Sequence, residues 1–393
     1  MITRSSWLNA FALALPVTAC SAEQDERADT AGASGMAGAS SPSAGQSGAG
    51  APPVGGSAGA SGGAPSAGAP ASAGSTAEGG SPSGGAAGAA DAGSGGNTGG
   101  EPTETPLAAL PEVRQEHAVA ALDGEIYVIG GFTPSATSSV AAYDPALDRW
   151  RSVASLPVVA QHANAAAVGS KLYVAGFYLG SSFSDADPRV FEYDPGANAW
   201  SEKAPMPDGS ERASACVAVL EQKIYLFGGA RSSSVSDASA YDTVADRWEA
   251  LPSLPEPREH CLAGAIDGKL YIASGRSGSI SGFEPATLAY DPIARVYEPR
   301  APITTPRGGA AGGVLRGRLF VFGGEGSAAE PRGVFPNVQA YDPQTDRWDA
   351  LPDMLVPRHG FGAAVLEGRI YLPGGATRQG LGAVGDHSVF AFE

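Results

Sequence analysis

The five histidines of this 393-residue chain are the side chains best suited to proton transfer or metal binding near neutral pH. They are His117, His162, His260, His359 and His387. None has a second histidine at the short spacing of a local metal motif, so a structural histidine with satisfied hydrogen bonds is the default interpretation of each. Asp185 and Asp187 could contact Ca²⁺, but two carboxylates in a serine-rich loop are too few for a calcium site. No metal, cofactor or catalytic residue is predicted.

Three of the candidate residues share one place in the sequence pattern. Glu116, His162 and His260 each stand two residues after a recurring position that is usually arginine. A carboxylate and histidines brought together could hold a ligand or transfer a proton, and Glu259 and Glu325 are further carboxylates that could join them. Whether these side chains meet depends on the elements that position them.

A repeat of about 50 residues organises the second part of the chain, since AYDPALDRW at 142–150 returns as AYDPQTDRW at 340–348. The tyrosine recurs as Tyr143, Tyr193, Tyr241, Tyr290 and Tyr341, with Phe390 in the sixth place. Seven residues after each tyrosine comes Trp150, Trp200, Trp248, Tyr297 or Trp348. A glycine pair precedes the tyrosine in four copies, as Gly130 and Gly131, Gly228 and Gly229, Gly323 and Gly324, and Gly374 and Gly375, while copies two and four are degenerate. The recurring basic residues are Arg114, Arg212, Arg258, Arg307 and Arg358, replaced by Ala160 in the second copy.

This constellation resembles the kelch repeat, and the match covers all six units. The resemblance implies a β-propeller, and the residues independently favour it, because short β-rich runs alternate with DG, DP and GG turn dipeptides and show no helical periodicity. One four-stranded unit cannot bury both of its apolar faces alone, so the units should pack face to face around an axis. We predict an all-β, six-bladed kelch β-propeller in which the repeated residues are scaffold.

The predicted propeller spans residues 102–393. Its blades are expected at approximately 110–155, 156–204, 206–253, 254–301, 303–352 and 354–393. The sixth unit stops before its tryptophan strand, so residues 102–109 are predicted to close the last blade, with Glu104 in the tryptophan position. Pairing the two chain ends would cover the edge of the last strand.

One face of the propeller is the better candidate for binding. The four strands of each blade are lettered a to d in chain order. The a to b and c to d turns are short and nearly invariant, whereas the b to c loops and d to a links of the other face differ in length and chemistry. The candidate binding residues on that face are Arg231, Arg276, Arg378, Glu325, Phe132 and Tyr178 from the loops, with Glu116, His162 and His260 from the links. In family members that bind short acidic peptides, residues at these positions line the pocket mouth. For the three loop arginines, simple solvation is an equally strong interpretation.

The N-terminus predicts export and a lipid anchor. In MITRSSWLNAFALALPVTAC, Arg4 precedes an apolar run that is too short to cross a bilayer, as in a secretory signal. The ending VTAC resembles the lipobox of bacterial lipoproteins, so residues 1–19 are predicted as a lipoprotein signal peptide and Cys20 as the lipidated residue. The alternative is an ordinary signal peptide with an incidental cysteine. Residues 20–101 are almost wholly Gly, Ala, Ser and Pro and are predicted to be a disordered tether.

Charge and cysteine content restrict the partners. From residue 107 onward the chain holds 23 basic and 33 acidic residues, a net charge of −10, which disfavours nucleic acid as a partner. Only Cys216 and Cys261 follow Cys20; an oxidising compartment permits a bridge, but buried free thiols are expected. We expect a monomer that meets the membrane only through its lipid.

Taken together, these features predict an exported lipoprotein of the bacterial envelope, at the outer membrane and facing the periplasm or the surface. Its propeller is expected to be a non-catalytic module that binds a protein or glycan through the variable loop face. The alternative is a carbohydrate-active enzyme resembling the six-bladed kelch mutarotase of sialic acid. An enzyme would need a cleft with perturbed titratable groups, whereas a binding module tolerates a shallow face.

We predict that Cys20→Ser releases the protein from membranes into the periplasm or the medium, because acylation of the cysteine sulfur is the only anchor. Fractionation followed by mass spectrometry checks this. An unmodified Cys20 in the membrane-bound form would contradict the prediction.

Overall fold

The computed structural model describes residues 100–392, so the predicted signal peptide, Cys20 and almost all of the predicted tether lie outside the described residues. Every regular element within this range is a β-strand. The strands form six antiparallel sheets, as the sequence predicts for a six-bladed propeller. Across these residues no helical segment has the length and apolar character needed to cross a membrane.

The strands follow chain order from blade 1 to blade 6. Blade 1 contains β2 (Ala118–Leu122), β3 (Glu125–Ile129), β4 (Val140–Asp144) and β5 (Arg149–Val153). Blade 2 contains β6 (Ala160–Gln161), β7 (Ala165–Val168), β8 (Lys171–Leu179), β9 (Ala186–Asp194) and β10 (Ala199–Lys203). Blade 3 contains β11 (Cys216–Leu220), β12 (Lys223–Phe227), β13 (Ala238–Asp242) and β14 (Arg247–Leu251). Blade 4 contains β15 (Leu262–Ile266), β16 (Lys269–Ala273), β17 (Thr287–Asp291) and β18 (Val296–Arg300).

The last two blades complete the circuit. Blade 5 contains β19 (Ala311–Leu315), β20 (Arg318–Phe322), β21 (Val338–Asp342) and β22 (Arg347–Leu351). Blade 6 contains β23 (Ala364–Leu366), β24 (Arg369–Pro373) and β25 (His387–Phe392), together with β1 (Pro102–Pro106) from the start of the described chain.

Side chains are small near the propeller axis and larger farther from it. Innermost strands are rich in alanine and glycine, and every residue is buried in AVAAL of β2 and in AGGVL of β19. A Cβ on Gly313 of β19 would come within 2.8 Å of Val365 in the next blade, so neighbouring inner strands leave little room for side chains. The outermost strands, such as RWEAL of β14, are mostly exposed and polar.

In blades 1, 3 and 5, the repeated Tyr, Asp and Trp residues connect the blade to the preceding segment of the ring. In blade 3, the Tyr241 hydroxyl donates to Asp246 Oδ1 at 2.6 Å. The same oxygen accepts the amide of Ala204 in blade 2 at 2.9 Å, and Trp248 Nε1 donates to the Ala204 carbonyl at 3.1 Å. Both backbone polar groups of one residue are therefore satisfied by the neighbouring blade.

Blade 4 departs from this pattern in a way that its neighbour explains. Arg295 and Tyr297 replace the aspartate and the tryptophan, and the Tyr297 hydroxyl donates to the carbonyl of Pro252 at 2.7 Å. Pro252 stands where Ala204 stands in the preceding blade, and proline has no amide hydrogen. An aspartate at position 295 would therefore find no backbone donor on Pro252.

The glycine pairs are required where two blades approach closely. Gly228 has a φ of +61°, and a Cβ there would overlap with the carbonyl oxygen of Arg258 in the next blade. Gly229 donates its amide to that same oxygen at 2.8 Å. The buried Arg212 guanidinium donates to the Gly228 carbonyl at 2.8 Å, which assigns a structural role to the recurring arginine.

The degenerate second copy has a structural cause. The pairing of β8 with β9 shifts between Ala175 and Phe177, where Gly176 has a φ of +77°. This β-bulge lets both strands run for nine residues, longer than the other strands of the propeller.

The expectation of free thiols is wrong for the folded domain. Cys216 and Cys261 form a disulfide that joins blades 3 and 4, with their Cα atoms 4.9 Å apart. The two residues lie at the inner ends of neighbouring blades, where convergence toward the axis brings the backbones together. Closing a loop across 45 residues of sequence separation corresponds to about 4 kcal/mol of stabilisation in the chain-entropy account.

The first described strand completes the last blade. β1 pairs antiparallel with β25, and Glu104 lies opposite Phe390, the position that tryptophan holds in other blades. The Glu104 carboxylate accepts a hydrogen bond from the Ser388 hydroxyl at 2.6 Å and from the amide of Leu355 at 2.8 Å. A carboxylate thus replaces the missing aromatic residue by bonding to backbone and hydroxyl donors.

We predict that a chain beginning at Leu110 is much less stable than one beginning at Gly99, because removing β1 leaves the outer edge of β25 unpaired. Thermal unfolding followed by circular dichroism checks this. The matched chain from Gly99 should have the same melting temperature as the mature protein. Equal melting temperatures for the two truncated chains would contradict the closing role of β1.

Candidate functional site

Six equivalent residues form a closed ring around the propeller axis, each two positions after the recurring arginine position. They are Glu116, His162, Ser214, His260, Gly309 and Gly360. The amide of each donates to the carbonyl of the ring residue in the preceding blade at 2.5–3.2 Å, and the amide of Glu116 closes the ring by donating to Gly360. All six have φ between +51° and +67°, a conformation that costs a residue with a side chain about 1–2 kcal/mol. The ring of hydrogen bonds holds them in it.

Three ring side chains converge at the axis. Glu116 Oε2 lies 3.2 Å from His162 Nε2 and 3.6 Å from His260 Nε2. The two imidazole rings meet edge to face with centroids 4.8 Å apart. All three side chains are about nine-tenths buried. The carboxylate has space because Gly360 lacks a side chain: a Cβ there would overlap with Glu116 Oε1.

The other nitrogen of each imidazole contacts an acceptor. His162 Nδ1 bonds to Gln161 Oε1, and Gln161 Nε2 in turn donates to the carbonyl of Ser182 at 2.6 Å. His260 Nδ1 bonds to the Glu259 carboxylate. These contacts fix both rings with Nε2 directed at Glu116.

The mostly enclosed guanidinium of Arg276 joins the cluster to the neighbouring loop. Arg276 Nε donates to Glu259 Oε1 at 2.7 Å, and its Nη1 donates to Glu325 Oε1 at 2.6 Å. The second oxygen of Glu325 accepts the amide of Gly380 at 3.0 Å and lies 3.4 Å from His359 Nδ1. The charged network thus continues across blades 4, 5 and 6.

Burial and neighbouring charges separate the pKa values of the cluster. Burial lowers the pKa of His162 to about 4, whereas the Glu259 carboxylate overcomes burial and raises the pKa of His260 to about 9. Burial alone would raise the pKa of Glu116, but the surrounding histidines hold it well below its usual value. For Glu259, His260 and Arg276 likewise outweigh burial and lower the pKa to about 2.

A cavity of about 920 Å³ opens above the cluster on the variable loop face. Phe132 and Phe183 form one wall with their rings stacked 5.6 Å apart, and Tyr178 lies beside them with its hydroxyl bonded to the carbonyl of Arg231 at 2.7 Å. Serine residues 232–234 and 279 supply hydroxyls around the mouth. The cavity therefore combines an aromatic wall, a hydroxyl-rich rim and a buried charged floor.

The structure brings seven of the nine predicted binding residues to this cavity: Phe132, Tyr178, Arg276, Glu325, Glu116, His162 and His260. Arg231 and Arg378 do not line it, because Arg231 pairs with Asp237 and Arg378 donates to the carbonyl of Leu381. Nor is Arg276 a solvated loop arginine, since its side chain is only 12% exposed between two carboxylates.

Sequence reasoning missed four contributors: Gln115, Gln161, Phe183 and His359. No repeat position marks Phe183, which reaches the cavity from the long loop of blade 2. His359 was expected to be structural, and its Nε2 does bond to the Arg378 carbonyl at 2.8 Å, but its Nδ1 faces the charged network.

Comparison with known families agrees with this geometry. A model of the KLHDC2/KLHL20/DRC7 kelch-repeats domain matches residues 161–375, and a kelch-motif model matches residues 114–157. The chain belongs to the kelch-repeat family.

Individual kelch proteins are similar over the propeller. Kelch-like protein terF of Aspergillus terreus is 35% identical over 290 residues, which cover 68% of this chain and 62% of that protein. Kelch-like protein 35 of Mus musculus is 32% identical over 188 residues, or 46% of this chain and 31% of the mouse protein. The chain thus spans less than two thirds of the length of these relatives. The solved structure of YjhT superposes with a TM-score of 0.60 at 17% identity, covering 72% of this chain and 96% of that one, a likeness of fold alone.

We predict that alanine at the two ring glycines has different effects. In Gly309→Ala the nearest atoms to the new Cβ are 3.6 Å away, so only the left-handed backbone strain of about 1–2 kcal/mol is expected. In Gly360→Ala the methyl group displaces the Glu116 carboxylate from both histidines, and loss of these buried contacts should add about 1–3 kcal/mol. Denaturant unfolding of both variants measures the difference, and equal destabilisation would show that Glu116 does not depend on the space at Gly360.

Proposed function

We propose that this kelch propeller binds a small hydroxylated ligand of the glycan class in the axial cavity, as a lipid-anchored protein of the bacterial envelope. The observation that carries the proposal is the cavity itself, whose volume of about 920 Å³ falls within the range of small-molecule sites. A flat surface for docking a folded protein would not need a depression of this depth.

The walls suit a ligand with both apolar and hydroxylated faces. Phe183 lies at the mouth with 57% of its surface exposed, so its ring offers a face on which the C–H side of a sugar could stack. The serine hydroxyls of the rim can both donate and accept hydrogen bonds, as a polyhydroxylated ligand requires.

The floor favours a neutral ligand over an acidic one. Glu116, Glu259 and Glu325 bring three carboxylates to the floor, and Arg276, the guanidinium among them, is already paired with two of these. An acidic sugar or an acidic peptide would therefore meet no free arginine here. The charge of the floor therefore disfavours both an acidic peptide and an acidic sugar such as sialic acid.

A second candidate is a carbohydrate-active enzyme of the mutarotase type. The observation that favours it is the convergence of Glu116, His162 and His260 at the floor, where a sugar hydroxyl or ring oxygen could contact a carboxylate and two imidazoles. Anomer exchange faster than in buffer, followed by NMR for each sugar that binds, would favour the enzyme over the binding module.

The envelope location remains a proposal that rests on the VTAC sequence and the composition of residues 20–101. A flexible tether of this length has a root-mean-square reach of roughly 50 Å, which suffices to hold the propeller clear of a membrane surface. Its cavity could then capture ligands from solution.

We predict that Phe183→Ala weakens glycan binding about tenfold, a loss of about 1.4 kcal/mol, without changing the melting temperature, because the ring is exposed and contributes to the ligand rather than to the core. Glycan-array screening followed by calorimetry with the best neutral ligand provides the measurement.

The matched control is Leu147→Ala, which removes a side chain of 68% exposure from a c to d turn on the opposite face. Its affinity should equal that of the unmodified protein. The site would lie elsewhere if Phe183→Ala bound the ligand as tightly as the unmodified protein does. It would also lie elsewhere if Leu147→Ala abolished binding. Capture of folded proteins but of no glycan would replace the small-ligand proposal with a protein-docking role.

A further inference from the structure

We propose that Glu116, His162 and His260 form a binding site for one divalent transition-metal ion of the zinc class at the floor of the axial cavity. The inference stands apart from the glycan proposal, because it concerns a cation and does not require that any sugar binds. It rests on the positions of three side chains, on what holds them and on the charge around them.

Two of the three separations between the ligand atoms match those of a metal site. One carboxylate oxygen of Glu116 and one nitrogen from each histidine all lie within 4.8 Å of one another. The Glu116 to imidazole distances of 3.2 and 3.6 Å are close to the edge of a tetrahedron built on zinc bonds of about 2.0 Å, which is about 3.3 Å. Two histidines and one carboxylate are a frequent ligand set for zinc and for iron(II).

The outer contacts orient both histidines as metal ligands. Gln161 Oε1 and the Glu259 carboxylate are acceptors, so each histidine donates from Nδ1 and turns its Nε2 toward Glu116 at the axis. Metal-bound histidines usually make this type of second contact, to a carboxylate or another oxygen. Arg276 fixes Glu259 in turn, at 2.7 Å.

The centre leaves one buried nitrogen without a partner. The Nε2 atoms of His162 and His260 both face the carboxylate of Glu116, and His260 Nε2, on a side chain that is 91% buried, has no hydrogen-bond partner within residues 100–392. A buried polar atom without a partner is costly. A divalent ion that takes the place of the Nε2 proton bonds this nitrogen, the second imidazole and the carboxylate at once.

The surroundings favour a cation and leave room for a further ligand. The floor has an excess of negative charge, because its three carboxylates outnumber the two cations Arg276 and His260. The carboxylates are Glu116, Glu259 and Glu325. Because the cavity of about 920 Å³ opens directly above, water or a ligand oxygen could complete the coordination, as in zinc sites with three protein ligands.

The test measures metal binding by the full chain without an affinity tag, on a Cys20→Ser background so that this thiol does not bind the ion. Protein stripped with a chelator is dialysed against Zn²⁺, and bound metal is counted by mass spectrometry; Co²⁺ is added separately to record its visible absorption. We expect one zinc per chain with a Kd in the micromolar range or below, and a Co²⁺ spectrum typical of nitrogen and oxygen ligands. A ratio well below one, or a Kd above about 100 μM, would overturn the proposal.

Variants locate the ion. Glu116→Gln, His162→Gln and His260→Gln should each weaken Zn²⁺ binding at least 100-fold. Glu259→Gln changes the partner of the His260 imidazole and of Arg276 but none of the three ligand atoms, so it should weaken binding 10- to 100-fold. Ser214→Ala is the matched control, because Ser214 holds the same ring position and φ but contributes no atom to the cluster. Its affinity should stay unchanged.

Thermal unfolding of the metal-free variants, followed by circular dichroism, shows whether a variant loses zinc because a ligand is missing or because the protein no longer folds. If a histidine variant unfolds, Glu116→Gln provides the test. Stoichiometric zinc in a folded Glu116→Gln and His260→Gln double variant would overturn the assignment. Because no sugar is present, failure to bind zinc and failure to bind glycans are separate results.

Discussion

The closed ring of six backbone hydrogen bonds at the axis is the constraint on which the rest of the structure depends. Each blade contributes one amide and one carbonyl, so the ring requires every blade to stand at the same height and rotation. Glu116 donates to Gly360 across the point where the last blade meets the first, and the ring therefore also depends on the closing strand β1. A left-handed backbone at each position is the cost of closure.

Scaffold and site are separated by distance from that axis. At the rim, the Tyr241, Asp246 and Trp248 arrangement satisfies the backbone of Ala204 and so sets the angle between blades 2 and 3. At the centre, the ring residue varies between blades, because the hydrogen bonds of the ring use only its backbone. The fold thus leaves six side-chain positions at the axis free to carry chemistry while the repeat around them stays constant.

The sequence predicted the fold in detail because the scaffold is repeated, and the site only in part because the site is not. Fixed offsets placed Glu116, His162 and His260 at equivalent positions, and rotation about one axis was enough to bring them together. Sequence offsets could not distinguish Arg276 from Arg231, because the two arginines differ only in their neighbours. Arg276 points toward the axis, where it pairs with Glu259 and Glu325. Arg231 pairs with Asp237 at the rim instead. The disulfide was missed for a similar reason, because the approach of Cys216 to Cys261 depends on convergence toward the axis.

The uneven distribution of side chains around the ring follows from crowding. Gly360 has no side chain where the Glu116 carboxylate lies, and a Cβ there would overlap with that carboxylate. Gly309 has room for a methyl group, because the nearest atoms to a Cβ there are 3.6 Å away. Six large side chains would not fit around one axis, so space on one side is the condition for a carboxylate and two imidazoles to meet on the other. The glycine of blade 6 is therefore part of the site, although it carries no functional group.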